Sequence, residues 1–448
     1  DLQSLPPLAS AGGEIGQWIG RYRDAVRTLA YASGGPVVVS PNLHGDCYGA
    51  FAAVAQVEPE LLRVVGWQHS DIEYDARMLT HYEPMLHGFV AVSDAIEGVL
   101  RTRLPGREQD LVNIAYGVEV PPSPPRREVL HGRPIRLLYT GRLEHEQKRV
   151  RALVAMSDEL TKRSVAHQLH LLGDGPASEE IDEACRSRPA LRRLPPCGPA
   201  GVRRLLAEHD AFVLASRYEG LSVSMLEALA QGCVPVVTAV RSGAAQALTD
   251  GSNGFLAQAS PEDDDATVGR AMADAVAKFA ASDAAAVARA AWSTAIERYS
   301  VERHADRVEG LMRHVLLQPP RPWPATRPTA FSGSGGGSGS VPAEGPARLR
   351  AVLDGLQGKA IVLHGAGRHT IELAGVLAST AAKIVAVADD DPARHGTTFL
   401  GWPVVAPSAA HETGATDVVI SSWMHEEAIW SRRRMYTRQG LAVHRVYG

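Results

Sequence analysis

The sequence contains little cysteine and no excess of charge of either sign. Only four cysteines occur among its 448 residues, and none forms a CxxC pair or another metal-ligand spacing. This pattern argues against a disulfide framework and a structural zinc site, and it favours a reducing, cytoplasmic compartment. The 46 lysine and arginine residues are balanced by 50 aspartate and glutamate residues, which gives a formal net charge of −4. No basic field therefore predicts a nucleic-acid partner.

Long apolar runs are also missing. No window approaches the roughly 18 apolar residues of a membrane-spanning helix, and the first ten residues, DLQSLPPLAS, lack the basic and apolar regions of a secretory signal. We expect neither secretion nor membrane spanning, although peripheral contact with the inner face of a membrane stays open. With 45% hydrophobic and 21% charged residues, the composition excludes collagen, coiled coil and wholesale disorder. It is typical of a soluble globular enzyme.

Short apolar runs alternate with helix-like segments along most of the chain. Examples are PVVVS at 36–40, RLLYTG at 136–141 and KAIVLHGAG at 359–367. This alternation predicts the α/β class, with parallel sheets covered by helices on both faces. In such sheets ligands bind at the carboxyl ends of the strands, so the loops that follow the strands are the places to look for chemistry.

Two proline-rich stretches divide the chain. One is VPPSPPRREVLHGRP at 120–134, and the other, at 319–345, combines prolines with a Gly/Ser run that cannot bury enough surface to fold. We therefore predict three Rossmann-like domains, of which the last two are joined by a flexible linker. The predicted boundaries are 1–120 and 121–318 for the first two domains, 319–345 for the linker and 346–448 for the third domain.

The stretch AFVLASRYEGLSVSMLEALAQGCVPVVT at 211–238 carries the clearest chemical pattern. An apolar strand, a loop and a helix follow one another, with Glu219 on the loop and Glu227 on the helix. The backbone amides of Gly220, Leu221 and Ser222 face outward at the start of that helix, where a phosphate binds favourably. The pattern predicts two acceptors for hydroxyl groups beside an anion site.

A second polar loop follows the predicted strand at 135–140. The segment YTGRLEHEQKR, residues 139–149, contains Arg142 and Lys148. Arginine offers a rigid fork of donors and lysine a compact charge, and both suit a diphosphate whose negative charge must be held as it departs.

Together these motifs resemble the donor-binding signature of the retaining glycosyltransferases of family 4, which have the two-domain GT-B-type fold. The resemblance covers roughly residues 36–317, and the segment at 297–315 resembles the closing helix that returns to the N-terminal domain of that fold. It implies an acceptor-side domain over 1–120 and a domain that binds a nucleotide-sugar donor over 121–318. In the first of these, only 35 residues precede PVVVS, so we expect that domain to be short or to lack its first strands.

The family resemblance also assigns roles to residues. It implies that Glu219 binds the hydroxyl groups of the donor sugar and that Glu227 binds the ribose. It also implies that the diphosphate is bound by Arg142, Lys148 and the backbone from Gly220 through Leu221 to Ser222. This sequence departs from the family pattern at Lys148-Arg149, where the family usually has Lys-Gly. A shift of this loop is therefore expected. The turn LLGDGP at 171–176 resembles the family's turn near the nucleotide base and is equally compatible with a generic turn.

A histidine is expected in the cleft of the first domain. The family often carries one there, near the donor sugar and the incoming acceptor. His69, which follows the strand LLRVVGW, fits this position better than His44 in the loop SPNLHGD. We therefore count His69 with Arg142, Lys148 and Glu219 as the predicted catalytic residues. A structural or surface role for either histidine stays open.

The third domain contains GAGRHT at 365–370, with Asp389 at the end of the next strand. This is close to a dinucleotide-binding fingerprint, but Thr370 replaces its last glycine. The domain resembles a small Rossmann-like module that is appended to bacterial sugar-processing enzymes and sugar methyltransferases. Binding of a nucleotide sugar or a partner is the favoured interpretation, ahead of a structural or oligomerising role and of NAD binding.

The resemblance implies a retaining glycosyltransferase that uses a nucleotide-diphosphate sugar and no metal or other cofactor. The acceptor would be a hydroxyl group of a glycan, a lipid-linked sugar or a small molecule. Two alternatives stay open: a non-catalytic nucleotide-sugar-binding scaffold, and a GT-B-type sugar-nucleotide epimerase or phosphorylase. The sequence predicts neither the sugar nor the base of the donor, and it leaves the oligomeric state undetermined.

Overall fold

A computed structural model describes residues 15–41, 45–125, 130, 132–240, 243–329, 331, 344–391, 394–422 and 426–447. The chain divides into two compact units, Asp1–Phe331 and Ser332–Gly448, which are described separately.

The first lobe of the first unit has a parallel sheet of four short strands. Its order is β1-β2-β3-β4, with strands β1 (Val37–Val39), β2 (Leu62–Gln68), β3 (Leu86–Ala91) and β4 (Leu111–Asn113). Helices α1 (Ile15–Ser33), α2 (Gly45–Val57), α3 (Glu73–Tyr82) and α4 (Asp94–Arg103) connect or flank these strands. Every residue of β3 is buried, as expected for a parallel strand covered on both faces.

The second lobe has a parallel sheet of six strands in the order β10-β9-β8-β5-β6-β7. The strands are β5 (Ile135–Thr140), β6 (His167–Leu172), β7 (Leu191–Leu194), β8 (Ala211–Leu214), β9 (Val234–Thr238) and β10 (Phe255–Ala257). The helices are α5 (Val150–Lys162), α6 (Ser178–Ser187), α7 (Pro199–Glu208), α8 (Val223–Ala230), α9 (Ala244–Ala247), α10 (Asp265–Ala280), α11 (Ala284–Arg298) and α12 (Val301–Leu316). The central strands β8 and β9 are wholly buried, so the loops that follow them start from well-packed strands of the core.

Helix α12 returns from the second lobe to the first. Its side chains Leu311 and Val315 pack in one apolar cluster with Val65 and Val90 of the first sheet. This is the closing helix that the sequence predicted. At its start, the Val118 amide donates to the Tyr299 carbonyl at 2.8 Å, so the chain crosses between the lobes at two adjacent places.

The segment 319–331 differs from the predicted linker. Trp323 is only 2% exposed, and its ring packs at a tilt against that of Tyr82, with ring centroids 5.5 Å apart. The Tyr82 hydroxyl also donates to the Thr329 carbonyl at 2.8 Å. This segment therefore packs on the first lobe, because its tryptophan finds an aromatic pocket that proline content alone does not reveal. The predicted Gly/Ser linker at 332–343 lies outside the described residues.

The second unit has its own six-stranded sheet in the order β13-β14-β12-β11-β15-β16. Its elements are α13 (Gly345–Asp354), β11 (Ala360–His364), α14 (Arg368–Glu372), α15 (Ala374–Ala378), β12 (Lys383–Ala388), β13 (Thr398–Phe399), β14 (Trp402–Val405), β15 (Asp417–Ile420), α16 (Glu426–Ser431), α17 (Arg434–Thr437) and β16 (Ala442–His444). All described strand pairs of this sheet are parallel except that of β13 with β14.

The three sheets confirm the predicted α/β class. None of the helices in the described part of the chain is long and apolar enough to cross a bilayer.

Candidate active site

The loop between β8 and α8 is closely packed. Ser222 caps α8, because its hydroxyl accepts the Met225 amide at 3.3 Å, and Leu221 is buried. A Cβ atom at Gly220 would lie only 2.0 Å from the backbone oxygen of His69. Glycine is therefore required at residue 220 because a loop of the first lobe approaches it there.

Glu219 of this loop forms an ion pair with Lys148, which lies on the loop between β5 and α5. The Lys148 ammonium donates to Glu219 Oε1 at 2.5 Å, and the hydroxyl of Ser216 donates to the same oxygen at 2.6 Å. The side chain of Lys148 is 17% exposed and that of Glu219 is 12% exposed. Two predicted site residues from separate elements are thus brought together at the carboxyl ends of β5 and β8.

Gln147, which sequence reasoning missed, ties the two polar loops together. Its backbone oxygen accepts the Arg217 amide at 2.7 Å, and its side-chain amide donates to the Tyr218 carbonyl at 3.2 Å. Arg142 is exposed and reaches the Gln147 side-chain oxygen at 3.4 Å. The structure therefore places Arg142 on the same loop edge as Lys148, with its guanidinium open to solvent.

Arg149 explains the departure from Lys-Gly. Its backbone φ is 50°, in the left-handed region that favours glycine. The side chain is 1% exposed, and its guanidinium donates to Asp265 Oδ1 at 3.0 Å and to the Asp263 carbonyl. A buried charge needs such partners, and here they hold the strained residue at the start of α5, directly after Lys148.

The turn LLGDGP packs under the Arg142 loop. A Cβ atom at Gly173 would lie 1.9 Å from the Gly141 oxygen, and one at Gly175 would lie 2.4 Å from the Leu143 oxygen. The Leu143 amide also donates to the Asp174 carbonyl at 2.9 Å. These glycines are accounted for by close backbone contact between two loops.

Glu227 lies in the middle of α8 and is half-buried. Burial raises the pKa of its carboxyl, while the Arg203 guanidinium opposes this and Glu119 adds to it. Arg203 is itself paired with Glu119 at 3.2 Å. Glu227 thus belongs to a different group of charges from the pair of Lys148 and Glu219.

His69 follows β2 and is held by aromatic rings. Its Nδ1 lies 2.5 Å from the Tyr116 hydroxyl, and its ring is within 9° of parallel with that of Trp67 at a centroid distance of 5.8 Å. Burial lowers the pKa of His69. With the contact to Gly220, the structure places His69 next to the predicted donor loop. The alternative, His44, lies outside the described residues.

The Gly-rich loop of the second unit bonds to its own side chains. The Ala366 amide donates to Asp389 Oδ2 at 2.8 Å, and Arg394 donates to the Ala366 carbonyl. In a dinucleotide fingerprint the acidic residue would meet a ribose hydroxyl instead. This geometry argues against the NAD interpretation of the loop. Across the described residues, no cluster of His, Cys, Asp and Glu suits a metal ion.

Comparison with known proteins finds a family that is similar to part of this chain. The model of the family Glycosyl transferases group 1 matches residues 134–281. The chain is 28% identical to the lipopolysaccharide 1,6-galactosyltransferase of Salmonella typhimurium over 43% of this chain and 54% of that protein. It is 29% identical to the alpha-D-kanosaminyltransferase of Streptomyces kanamyceticus over 42% of this chain and 47% of that protein. It thus spans about half the length of the curated relatives it matches.

Solved structures share the fold. The pneumococcal O-GlcNAc transferase GtfA, solved with UDP and GlcNAc, aligns with a TM-score of 0.53 at 14% identity, over 66% of this chain and 60% of that one. The lipopolysaccharide outer core galactosyltransferase WaaB, solved in its apo form, aligns with a TM-score of 0.51 at 18% identity, over 67% and 80%. At these identities the likeness concerns the fold alone, and it is consistent with the GT-B-type fold.

The family match ends at residue 281 and leaves the second unit outside it, so the resemblance of that unit to an appended sugar-processing module stays a prediction. Within the first unit, the match covers both polar loops of the candidate site. Residues 134–281 are therefore similar to the group 1 glycosyltransferases.

Proposed function

We propose that the protein is a retaining glycosyltransferase. It would move a hexose-like sugar from a nucleoside-diphosphate sugar to a hydroxyl group of a glycan, a lipid-linked sugar or a small molecule. The observation that supports this best is the ion pair of Lys148 and Glu219, in which a cation and a hydroxyl acceptor meet inside the region that is similar to the group 1 glycosyltransferases.

In this proposal the second lobe holds the donor. Arg142, Lys148 and the amides from Gly220 to Ser222 bind the diphosphate, as anions bind to cations and to a helix N-terminus. Glu219 accepts from the sugar hydroxyls and Glu227 from the ribose. The Lys148 side chain is only 17% exposed and is paired with the Glu219 carboxylate. The diphosphate would be a second anionic partner for its ammonium group.

The chemical step breaks the bond between the sugar's anomeric carbon and the diphosphate oxygen. Negative charge then grows on the diphosphate, where Arg142 and Lys148 stabilise it more in the transition state than in the bound donor. The acceptor oxygen bonds to the anomeric carbon on the same face, and its proton leaves with the diphosphate. The sugar carries oxocarbenium-like charge in between, and we assign His69 to the cleft near the donor sugar and the incoming acceptor.

Nucleotide binding is the first test. The pneumococcal relative was solved with UDP, so UDP is compared with GDP, ADP and TDP by thermal unfolding of the full chain. A nucleotide at 100 times its Kd stabilises the folded state by about 2.7 kcal/mol. We expect one nucleotide to raise the Tm, and Glu227→Ala to abolish that rise. Glu208→Ala, at the end of α7 with a side chain that is 57% exposed, is the matched control and should keep it.

Turnover is the second test. Released nucleotide should match glycosylated product one to one, and NMR of the product should show the donor's anomeric configuration. Inverted configuration would contradict the retaining mechanism. Nucleotide binding without any transfer to the three acceptor classes would favour the scaffold alternative.

A further inference from the structure

Tyr116 lies where the first lobe passes into the second, and sequence analysis gave it no role. Its hydroxyl is 2.5 Å from Nδ1 of His69, and the two ring planes are within 3° of parallel. We propose that Tyr116 is a positioning residue that holds the His69 imidazole with its proton on Nε2, ready to donate to a sugar or acceptor hydroxyl. This inference rests on the proposed function, because it assigns His69 to the same cleft.

The backbone around Tyr116 is fixed by the start of α12. His304 Nδ1 contacts the Ala115 carbonyl at 2.8 Å, and the Val118 amide is bonded to the Tyr299 carbonyl. A Cβ atom at Gly117 would lie 2.6 Å from the Cβ of His304, so the chain passes close against that helix. The hydroxyl of Tyr116 is therefore set in place by the crossing between the lobes.

The direction of the hydrogen bond follows from acidity. Burial raises the pKa of Tyr116, and the charges of Asp75 and Glu219 raise it further, so the hydroxyl keeps its proton. Burial also lowers the pKa of His69, which favours the neutral imidazole. An imidazole nitrogen is a better base than a phenol oxygen, so the hydroxyl donates to Nδ1. In a neutral imidazole the remaining proton is then on Nε2.

The position of His69 explains why the proton on Nε2 matters for the proposed reaction. The His69 backbone touches Gly220, next to Glu219, and the Trp67 ring lies parallel to the imidazole on strand β2. The ring therefore cannot turn freely, and Tyr116 chooses which nitrogen carries the proton. A rotated or mixed tautomer would present an acceptor where the proposed reaction needs a donor.

The test uses Tyr116→Phe, which keeps the ring and removes only the hydroxyl. The imidazole nitrogens are observed by ¹⁵N NMR in the full chain, and His69 is identified among the 17 histidines as the signal lost in His69→Asn. We expect wild-type His69 to show a protonated Nε2 and an Nδ1 that accepts, and Tyr116→Phe to show a mixture of tautomers. Tyr31→Phe, whose ring is 74% exposed, is the control and should leave the His69 signal unchanged.

Kinetics provide the second readout. Loss of one hydrogen bond of about 1 kcal/mol should lower kcat about fivefold, with the donor KM within about twofold. The inference fails if wild-type His69 carries its proton on Nδ1, or if Tyr116→Phe keeps both the wild-type tautomer and the wild-type kcat. If the wild-type protein transfers no sugar from any donor, the proposed function fails, while the tautomer spectrum still decides the role of Tyr116.

Discussion

The second lobe and the second unit each have a six-stranded, mainly parallel sheet, but the polar side chains of their loops have different partners. In the second lobe, Lys148 and Glu219 are partly exposed and are bonded to each other. In the second unit, Asp389 accepts the loop's own Ala366 amide, and the Thr370 hydroxyl donates to the Gly365 carbonyl. A loop that follows a parallel strand can therefore pair its charge with a side chain of another loop, or use its carboxylate to bond its own backbone.

The largest expected effect tests the first half of this contrast. On the proposed function, Lys148→Ala should lower kcat/KM about 100- to 1,000-fold, because it removes a cation that would stabilise the departing diphosphate. Lys162→Ala, at the end of the helix α5 that follows Lys148 and with a side chain that is 74% exposed, is the matched control and should keep wild-type turnover. Initial rates of nucleotide release measure both. Equal rates for the two variants would mean that the ion pair is structural.

A second contrast concerns buried carboxyls. Burial raises the pKa of Asp75 in the first lobe to about 6, although the Ser70 amide opposes the shift. The native state therefore binds this proton more tightly than the unfolded state, and stability is lost as the pH rises from about 4 to about 6. Asp75→Asn should then raise the free energy of unfolding by up to about 3 kcal/mol at pH 8 and by little at pH 4.

Urea unfolding of the full chain at pH 4 and pH 8 measures the effect of Asp75→Asn. Asp24→Asn, an exposed residue of α1, is the control and should change stability little at either pH. A loss of stability at pH 8 would show that Asp75 is held by attractive contacts of its charged form.

Asp390 of the second unit should behave in the opposite way. The His364 imidazole, whose Nε2 lies 3.6 Å from Asp390 Oδ2, and the Arg432 guanidinium hold the pKa of Asp390 well below its usual range. Its ionised form is therefore favoured in the native state, and its contribution to stability is present above the unfolded pKa and lost as the pH falls. Its side chain is 46% exposed, so solvent weakens this contribution.

The smallest expected effect tests the loop of the second unit. Asp389→Ala removes the acceptors of the Ala366 and Asp391 amides and should reduce the stability of this unit by about 1–2 kcal/mol. Glycosyl transfer should not change. Amide hydrogen exchange of β11 and β12 measures the effect, with Asp354→Ala at the exposed end of α13 as the control. Loss of nucleotide affinity in Asp389→Ala would instead identify this loop as a binding site.

Strand prediction succeeded for the apolar runs, including the edge strand β1, and missed an edge strand that carries charged residues. Runs such as AFVLAS and VPVVT are apolar on both faces, because β8 and β9 are covered by helices on both sides. The edge strand β7 reads LRRL and was missed, since one flank of it faces solvent and tolerates charge. The segment around Trp323 was taken for a linker because proline content describes the local chain and not what the chain packs against.

Local pattern was enough to find the loops that carry Arg142, Lys148 and Glu219 and the helix that carries Glu227, because a polar loop between a buried strand and a helix is a short-range signal. The contacts among those residues depend on chain segments about 70 residues apart, such as the loop of Lys148 and that of Glu219. Gln147, Tyr116 and the left-handed Arg149 gain their roles only from such contacts. Periodicity records which face of an element is buried, whereas partners across the fold are set by how the buried faces pack together.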